Sequence, residues 1–154
     1  MQFRYMGYST WKYDPDLISV RLDRVLDTIK LVQERGIHFD CLIVHGTSGI
    51  WLAPLLIMKD YPVVMVRKEG ENSHGRPIEG PDTGIDYTRG VFVDDLIASG
   101  ETIRMVKKLL GADSGRSADE DTENKLQMVA VILHDQPFLP HQKEHGIPIF
   151  GYRG

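Results

Sequence analysis

The hydrophobic positions of this chain alternate between short continuous runs and longer stretches with helical spacing. Continuous apolar runs are typical of strands buried on both faces of a parallel sheet. They occupy residues 40–44, 63–66, 91–93, 126–133 and 147–152. Apolar residues recur at helical spacing in residues 14–36, 50–59 and 103–110. This alternation predicts an α/β fold with a doubly wound, mainly parallel sheet flanked by helices.

The first helical stretch carries its own start and stop signals. Asp14 followed by Pro15 matches a capping residue and a proline at the first helical position, and Gly36 follows the last apolar residue of the pattern. We predict an amphipathic helix of about twenty residues here, with a packing role.

Length and composition indicate one soluble domain spanning residues 1–154, with a polar surface connection at 111–125. Apolar residues make up 42% and charged residues 26% of the chain, and the net charge is −4. Neither value suggests a nucleic-acid or membrane partner. The single cysteine, Cys41, lies in an apolar run and is expected to be a buried, inert thiol in a cytoplasmic protein.

The stretch 91–110 contains the most informative chemistry. An apolar strand ends in two adjacent carboxylates, Asp94 and Asp95, and a turn of small residues at 98–102 then opens a helix. Free backbone N–H groups at a helix start bind phosphate, and paired carboxylates accept hydrogen bonds from sugar hydroxyls. The combination predicts a ribose-5-phosphate site, whereas an ordinary strand–helix unit would leave the two carboxylates unexplained.

This stretch resembles the phosphoribosyl diphosphate (PRPP) signature of the type I phosphoribosyltransferases. The resemblance implies a sheet of the type predicted above with a long mobile loop and a small hood, Mg²⁺ carried by PRPP, a nucleobase as second substrate and a homodimer. It assigns the ribose hydroxyls or a magnesium-linked water to Asp94 and Asp95. The residues it assigns to the 5′-phosphate are Ala98, Ser99, Gly100, Glu101 and Thr102.

A second strand ends in the small-residue loop H-G-T-S-G at residues 45–49. By the same resemblance, Thr47, Ser48 and Gly49 hold the pyrophosphate of PRPP. A rival interpretation makes Ser48 a nucleophile, because G-T-S-G approaches the G-x-S-x-G elbow of hydrolases. Ile50 stands where the last glycine of that motif belongs, and no Asp–His pair completes a triad.

The long polar segment 67–89 is either functional or a solvated hairpin closed by an edge strand within 83–89. Its R-K-E-G-E-N-S-H-G run is similar to the mobile catalytic loop of orotate phosphoribosyltransferases, which implies catalytic roles for Arg67, Lys68 and His74. Arg67 and Lys68 would also contact pyrophosphate. A second lysine of that loop is missing here, and Arg76 is the nearest replacement.

The implied reaction displaces pyrophosphate from the ribose C1 of PRPP by a nitrogen of a nucleobase, either a pyrimidine such as orotate or a purine. Ala98 stands where hypoxanthine–guanine enzymes carry an aspartate, which favours the adenine and orotate branches. Glu101 replaces a common glycine and adds a negative charge near the phosphate. The alternative function is a non-catalytic PRPP-binding sensor, which the missing loop lysine would suit.

Three weaker patterns remain. His134 and Asp135 follow a predicted strand, where the family places base-contacting residues. Residues 141–145 read H-Q-K-E-H and fit a zinc-peptidase pattern, but Pro140 and Gly146 leave little room for the helix that zinc binding needs. The aromatic residues near the N-terminus are expected to pack on the core or to stack on a planar substrate; they are Phe3, Tyr5, Tyr8, Trp11 and Tyr13.

Overall fold

The computed structural model describes residues 10–67, 78–81, 87–97, 99–112 and 126–153. Helices in these ranges are a short 3-10 helix at Thr10–Tyr13, α1 at Pro15–Glu34, α2 at Gly46–Met58 and α3 at Glu101–Ala112. The strands are β1 (Cys41–His45), β2 (Val63–Val66), β3 (Ile78–Glu79), β4 (Arg89–Asp94), β5 (Gln127–Pro137), β6 (Lys143–Glu144) and β7 (Ile147–Tyr152).

The strands form a mainly parallel sheet in the order β3-β2-β1-β4-β5-β7-β6. The five inner strands run parallel to one another, and the two-residue strands β3 and β6 pair antiparallel at the edges. This arrangement confirms the α/β fold with a mainly parallel sheet.

Helices cover both faces of the sheet. Successive residues of a strand point to opposite faces, so each inner strand packs against helices on both sides. Leu42 and Val44 of β1 pack with α1 and α2 in one apolar cluster. Cys41 and Ile43 pack with α3 in the other cluster. The sheet is therefore doubly wound, as its sequence pattern predicts.

Helix α1 begins and ends where its sequence signals place it. The Asp14 carboxylate accepts hydrogen bonds from the backbone N–H groups of Asp16 and Leu17, at 2.9 and 3.4 Å. This cap satisfies donors that the first turn leaves free, and Pro15 costs nothing because it has no N–H. After the last helical residue, Gly36 takes φ +79°, a conformation that glycine adopts readily.

Two element boundaries differ from the sequence prediction. Helix α2 begins at Gly46, directly after β1, rather than at Ile50, because Gly46 takes φ +66° and turns the chain at once. Strand β5 continues through His134 and Asp135 to Pro137, which pairs with Tyr152 of β7 after an irregularity that follows the Leu133–Gly151 pair.

The edge strand predicted within residues 83–89 also differs. Residues 82–86 lie outside the described ranges, and Arg89 is the first residue of β4. The strand that borders β2 is Ile78–Glu79, placed earlier in the polar segment. In the described part of the chain, no helix has both the length and the apolar character required to cross a membrane.

Candidate functional site

The candidate site lies where the carboxyl ends of β1 and β4 meet. These two strands are neighbours in the sheet, but β1 leads into α2 on one face and β4 leads into α3 on the other. Such a reversal opens a crevice at the carboxyl edge of an open α/β sheet. A cleft of about 230 Å³ occupies this position. Its lining includes Gly46, Ser48, Asp94, Asp95, Ser99, Gly100 and Thr102.

The two carboxylates at the end of β4 are held by different partners. The Ser48 hydroxyl donates to Asp95 Oδ2 at 3.1 Å, and the backbone N–H of Leu96 donates to Asp95 Oδ1 at 2.9 Å. The backbone N–H of Asp95 in turn donates to Asp94 Oδ1 at 2.9 Å. The β1–α2 junction and the β4–α3 junction are thereby joined through one carboxylate.

These different environments give the two carboxyl groups different pKa values. Burial, together with the negative charge of Asp95, raises the pKa of Asp94 to about 7, although the Lys12 ammonium partly opposes the rise. Burial also acts on Asp95, but hydrogen bonds from Leu96, Asp94 and Ser48 outweigh it and lower the pKa of that carboxyl. Near neutral pH, Asp95 is ionised and Asp94 exchanges a proton with solvent. The pair therefore presents both an acceptor and a proton-bearing oxygen to a ligand.

The first turn of α2 borders the cleft, and its backbone N–H groups have no partner within the helix. His45, which precedes the helix, makes no side-chain cap within the described residues, and its Nδ1–H donates to the Val66 carbonyl at 2.8 Å. Gly49 lies so close to β1 that an added Cβ would meet Val44 Cβ at 2.6 Å. The sequence predicts Thr47, Ser48 and Gly49 in a loop, whereas the structure places them in this first turn. The side chain of Thr47 lies outside the described part.

The first turn of α3 forms the opposite wall. Gly100 takes φ +78°, and the Ser99 hydroxyl accepts a 3.4 Å hydrogen bond from the backbone N–H of Glu101. Thr102 also lines the cleft, while Ala98 lies outside the described residues. An added Cβ at Gly100 would come within 2.5 Å of the Glu144 carboxylate, which would have to shift, and the positive φ would strain any side chain at this position.

The charge of Glu101 points away from this wall. Its carboxylate lies 3.4 Å from the Arg104 guanidinium, and both side chains are about two-thirds exposed. Water screens a charge in this position. The extra negative charge noted in the sequence is therefore directed to solvent rather than into the cleft.

Arg67 lies apart from the cleft lining in this structure. Its guanidinium pairs with the Glu79 carboxylate across the β2–β3 edge. The two other residues predicted to be catalytic, Lys68 and His74, lie outside the described residues, as does most of the predicted mobile loop.

The side chain of His134 is buried next to the acidic pair. Its ring is 1% exposed and packs edge-on against Trp11, with the ring centres 5.3 Å apart. Neither ring nitrogen has a hydrogen-bond partner among the described residues. Burial and the charge of Arg21 lower the pKa of His134 to about 4, so the ring is neutral at physiological pH.

The backbone around His134 is fixed by helix α1. Arg21 and Arg24 both donate to the His134 carbonyl, at 3.2 and 3.1 Å, and Arg21 forms a 2.7 Å ion pair with Asp135. The backbone N–H of Asp135 donates to the Asp95 carbonyl at 2.8 Å. Sequence reasoning missed these arginines, since their partners are more than 100 positions away.

The H-Q-K-E-H segment does not form the helix that a zinc site would need. His141 and His145 take φ +61° and +50°, and Lys143 and Glu144 form strand β6 between them. The described residues contain no group of three or more metal-ligating side chains. The zinc-peptidase alternative is therefore not supported.

Solved structures with the same architecture identify this fold. An orotate phosphoribosyltransferase from Aeropyrum pernix superimposes with a TM-score of 0.62 at 19% identity, covering 96% of this chain and 76% of the other. The chain has the type I phosphoribosyltransferase fold. An adenine phosphoribosyltransferase from Trypanosoma brucei, in complex with AMP, pyrophosphate and ribose-5-phosphate, gives 0.59 at 17% identity, covering 97% of this chain and 69% of the other.

Sequence comparison finds similarity to a transcriptional regulator. Transcriptional regulator GfcR from Methanocaldococcus jannaschii is 26% identical over 88 residues, which are 53% of this chain and 42% of the regulator. The chain thus spans less than half of that protein. No protein-family model matches the sequence.

Proposed function

We propose that this protein is a Mg²⁺-dependent phosphoribosyltransferase that moves ribose-5-phosphate from PRPP to a nucleobase and releases pyrophosphate. The observation that carries the proposal is the acidic pair, held between the starts of two helices at the switch point of a phosphoribosyltransferase fold. Orotate and adenine phosphoribosyltransferases share this fold, which supports the reaction class.

In this proposal, α3 receives the 5′-phosphate of PRPP. Backbone N–H groups of its first turn and the hydroxyls of Ser99 and Thr102 would bind phosphate oxygens, and the helix dipole favours the negative charge. Gly100 permits close approach of the phosphate because it has no side chain. Ala98 would contribute its backbone, and Glu101 would remain in solvent with Arg104.

The acidic pair would hold the ribose. Asp95 is oriented by Ser48 and Leu96, and its ionised carboxylate would accept hydrogen bonds from the ribose diol. Asp94 would add a second contact that depends on its protonation state. The same negative charge would stabilise positive charge that develops on the sugar as the bond to pyrophosphate breaks.

The first turn of α2 would receive the pyrophosphate. Thr47, Ser48 and Gly49 place backbone donors on that side of the cleft, and the helix dipole would stabilise negative charge on the departing group. Arg67, Lys68 and His74 are the proposed catalytic residues of the adjoining segment. For Arg67 to reach pyrophosphate, its ion pair with Glu79 must open.

The residues present fit a magnesium ion that enters with its substrate. The carboxylate oxygens of Asp94 and Asp95 are ligands of the kind Mg²⁺ prefers, directly or through water. A dedicated cage is absent from the described residues, which contain no cluster of three metal ligands. The ion would neutralise charge on the diphosphate, and Asp95 is the residue best placed to contact it or its water.

The bond changes follow from these placements. A nitrogen of the nucleobase forms a bond to ribose C1 as the bond from C1 to the pyrophosphate oxygen breaks. The electron pair of the broken bond leaves with pyrophosphate, and the proton of the attacking nitrogen passes to pyrophosphate or to solvent. The protein supplies position and electrostatic stabilisation and forms no covalent bond of its own. The acceptor is a pyrimidine such as orotate, or a purine.

A second candidate function is a PRPP-binding regulator that does not catalyse transfer. The partial likeness to Transcriptional regulator GfcR favours it, and so does the missing lysine in the segment after Arg67. Such a protein would keep the acidic pair and both helix starts but would need Lys68 and His74 little.

Pyrophosphate release from PRPP separates these functions. We would supply Mg²⁺ and, in turn, orotate, uracil, adenine, hypoxanthine and guanine, and measure pyrophosphate with wild type, Lys68→Ala and an Asp94→Asn/Asp95→Asn variant. A transferase gives base-dependent release that falls about 100-fold or more in both variants. The matched control is Asp23→Asn/Asp27→Asn, which removes two exposed carboxylates from α1. Binding of PRPP without release with any base would favour the regulator.

A further inference from the structure

Glu144 brings a carboxylate against the start of α3 from the edge strand β6. A Cβ added to Gly100 would lie 2.5 Å from Glu144 Oε1 and 3.1 Å from its carboxyl carbon. Since a carbon–carbon single bond is about 1.5 Å long, this oxygen lies within about 4 Å of the Gly100 Cα. Ser99 and Gly100 line the cleft, so the carboxylate stands beside the turn proposed to receive the 5′-phosphate.

A tight hairpin holds Glu144 beside α3. Strands β6 and β7 pair through Glu144 and Ile147, and only His145 and Gly146 connect them. Both connecting residues take positive φ, +50° and +77°, as type I′ hairpin turns require. Ile147 packs in the same apolar cluster as Ile103 of α3, which fixes the hairpin next to that helix. In the H-Q-K-E-H segment, the second histidine therefore shapes a turn and the glutamate reaches the wall of the cleft.

The charge of Glu144 is not neutralised by a lysine or arginine in the described part of the chain. Its ion-pair partner there is His145, whose Nε2 lies 3.6 Å from Glu144 Oε1 and which is charged only when protonated. The Glu144 side chain is one-third exposed, so water screens its charge in part. A negative charge therefore remains beside the start of α3.

The cleft has no cationic side chain in its described lining to offset this charge. That lining contains the carboxylates of Asp94 and Asp95 but no lysine or arginine. On the α3 wall, the attraction for phosphate therefore comes from backbone N–H groups and the helix dipole, which acts like about half a unit charge. A full carboxylate charge nearby is large enough to reduce that attraction measurably.

We propose that Glu144 lowers the affinity of the α3 start for phosphate and so limits how tightly the cleft holds a phosphorylated ligand. In the empty cleft, the positive end of α3 favours the Glu144 carboxylate. A phosphate that binds at this turn is repelled by the same carboxylate. The inference rests on the proposed function, because it concerns the turn assigned to the 5′-phosphate of PRPP.

The effect applies to substrate and product alike. PRPP and the nucleotide formed from it carry the same 5′-phosphate, so Glu144 would weaken the binding of both. Weaker binding of this uniform kind raises KM without lowering kcat, and it lets the product dissociate sooner. Glu144 would thus determine affinity without touching the reacting atoms.

Titration calorimetry with ribose 5-phosphate, and with PRPP and Mg²⁺, measures the effect. Glu144→Gln keeps the shape of the side chain and removes its charge. We expect this variant to bind both ligands about three- to tenfold more tightly than wild type at about 0.01 M ionic strength, where charges are least screened. The gain should shrink at about 1 M salt, where the Debye length is about 3 Å. In transfer assays, the variant should lower the KM for PRPP without raising kcat.

Two further variants separate the charge of Glu144 from its packing and from the net charge of the protein. Glu144→Ala removes both the charge and the contact with Gly100, so a gain shared with Glu144→Gln belongs to the charge. Glu34→Gln removes one exposed carboxylate from the end of α1 and should leave both affinities unchanged. Unchanged far-UV circular dichroism would show that each variant is folded.

Several outcomes would overturn the inference. One is a Glu144→Gln variant that binds ribose 5-phosphate no more tightly than wild type at low salt, even if base-dependent pyrophosphate release shows a transferase. Weaker binding by Glu144→Ala alone would show that Glu144 only braces the turn, and an equal gain in Glu34→Gln would show an effect of net charge. Absence of ribose 5-phosphate binding by wild type and both Glu144 variants would also contradict it.

The inference and the proposed function can fail separately. A salt-dependent gain in ribose 5-phosphate affinity, without pyrophosphate release with any base, would support the role of Glu144 and contradict transfer alone.

Discussion

At the scale of single residues, the site depends on two adjacent aspartates that do not ionise alike. Asp94 keeps a proton to about pH 7, whereas three hydrogen-bond donors hold Asp95 ionised. Pairs of carboxyl groups driven apart in this way divide proton-bearing and charge-bearing roles between them. The pair is visible in the sequence, but this difference is not, because it depends on burial in the folded chain and on a hydrogen bond from Ser48, which lies elsewhere in the sequence.

The raised pKa of Asp94 predicts how stability depends on pH. In the unfolded chain the group titrates near 3.8, so the folded state binds more protons than the unfolded state between about pH 4 and 7. The contribution of Asp94 to the free energy of unfolding is therefore largest below pH 4, falls as pH rises to 7, and is constant above it. The ionised carboxylate destabilises the fold at pH 8.

Asp94→Asn should remove that penalty. The asparagine oxygen still accepts from the Asp95 N–H, and its amide donates as the protonated acid does. We expect the variant to be more stable than wild type by roughly 1–3 kcal/mol at pH 8, with the difference shrinking towards pH 5. Thermal unfolding at several pH values measures it. Asp95→Asn should destabilise instead, and equal losses for Asp94→Asn at pH 5 and pH 8 would refute the assignment.

At the scale of elements, the start of α2 decides where the second wall of the cleft lies. Periodicity places this helix at residues 50–59, but its first turn is built of small residues that carry no periodic signal. The turn depends on the positive φ of Gly46 and on the contact of Gly49 with Val44. The sequence shows the glycines, but it does not show which of them is required by a close contact between the helix and the neighbouring strand.

Gly49→Ala tests that contact. The new methyl group would meet Val44 Cβ at 2.6 Å, so α2 must move away from β1. We expect a loss of about 1–3 kcal/mol in the free energy of unfolding and weaker PRPP binding, since Ser48 moves with the helix. Gly111→Ala in α3 is the matched control: an added Cβ there meets nothing within 4 Å, and alanine should stabilise that helix by up to about 1 kcal/mol. Equal responses of the two variants in urea unfolding would contradict the packing argument.

Other elements have limits that the sequence pattern does not predict. Strand β5 runs past its apolar core because Asp135 bonds to the Asp95 carbonyl and Pro137 pairs with Tyr152, contacts made over long sequence distances. Strand β3 has two residues inside a polar segment, too few to form a pattern. The long helix α1, by contrast, has a cap, a proline and a sustained apolar stripe, and its limits are predicted closely.

At the scale of the whole molecule, alternation of strands and helices predicts the fold because neighbouring parallel strands need a crossover connection, which is usually a helix. The cleft follows from the same rule, since loops at the carboxyl ends of adjacent strands converge. The pattern does not predict the contacts that surround His134 next to the cleft. Trp11, Arg21 and Arg24 reach His134 from the first helices, and such contacts depend on three-dimensional packing.

The central claim is that the cleft between the starts of α2 and α3 binds PRPP. Calorimetric titration of PRPP with Mg²⁺ into the protein tests it most directly, with Asp94→Asn/Asp95→Asn as the variant and Asp23→Asn/Asp27→Asn as the control for lost charge. We expect saturable binding by wild type and control, and none by the variant. No binding by the wild type, or equal binding by the Asp94→Asn/Asp95→Asn variant, would contradict the claim and leave the molecule with a phosphoribosyltransferase fold but a different ligand.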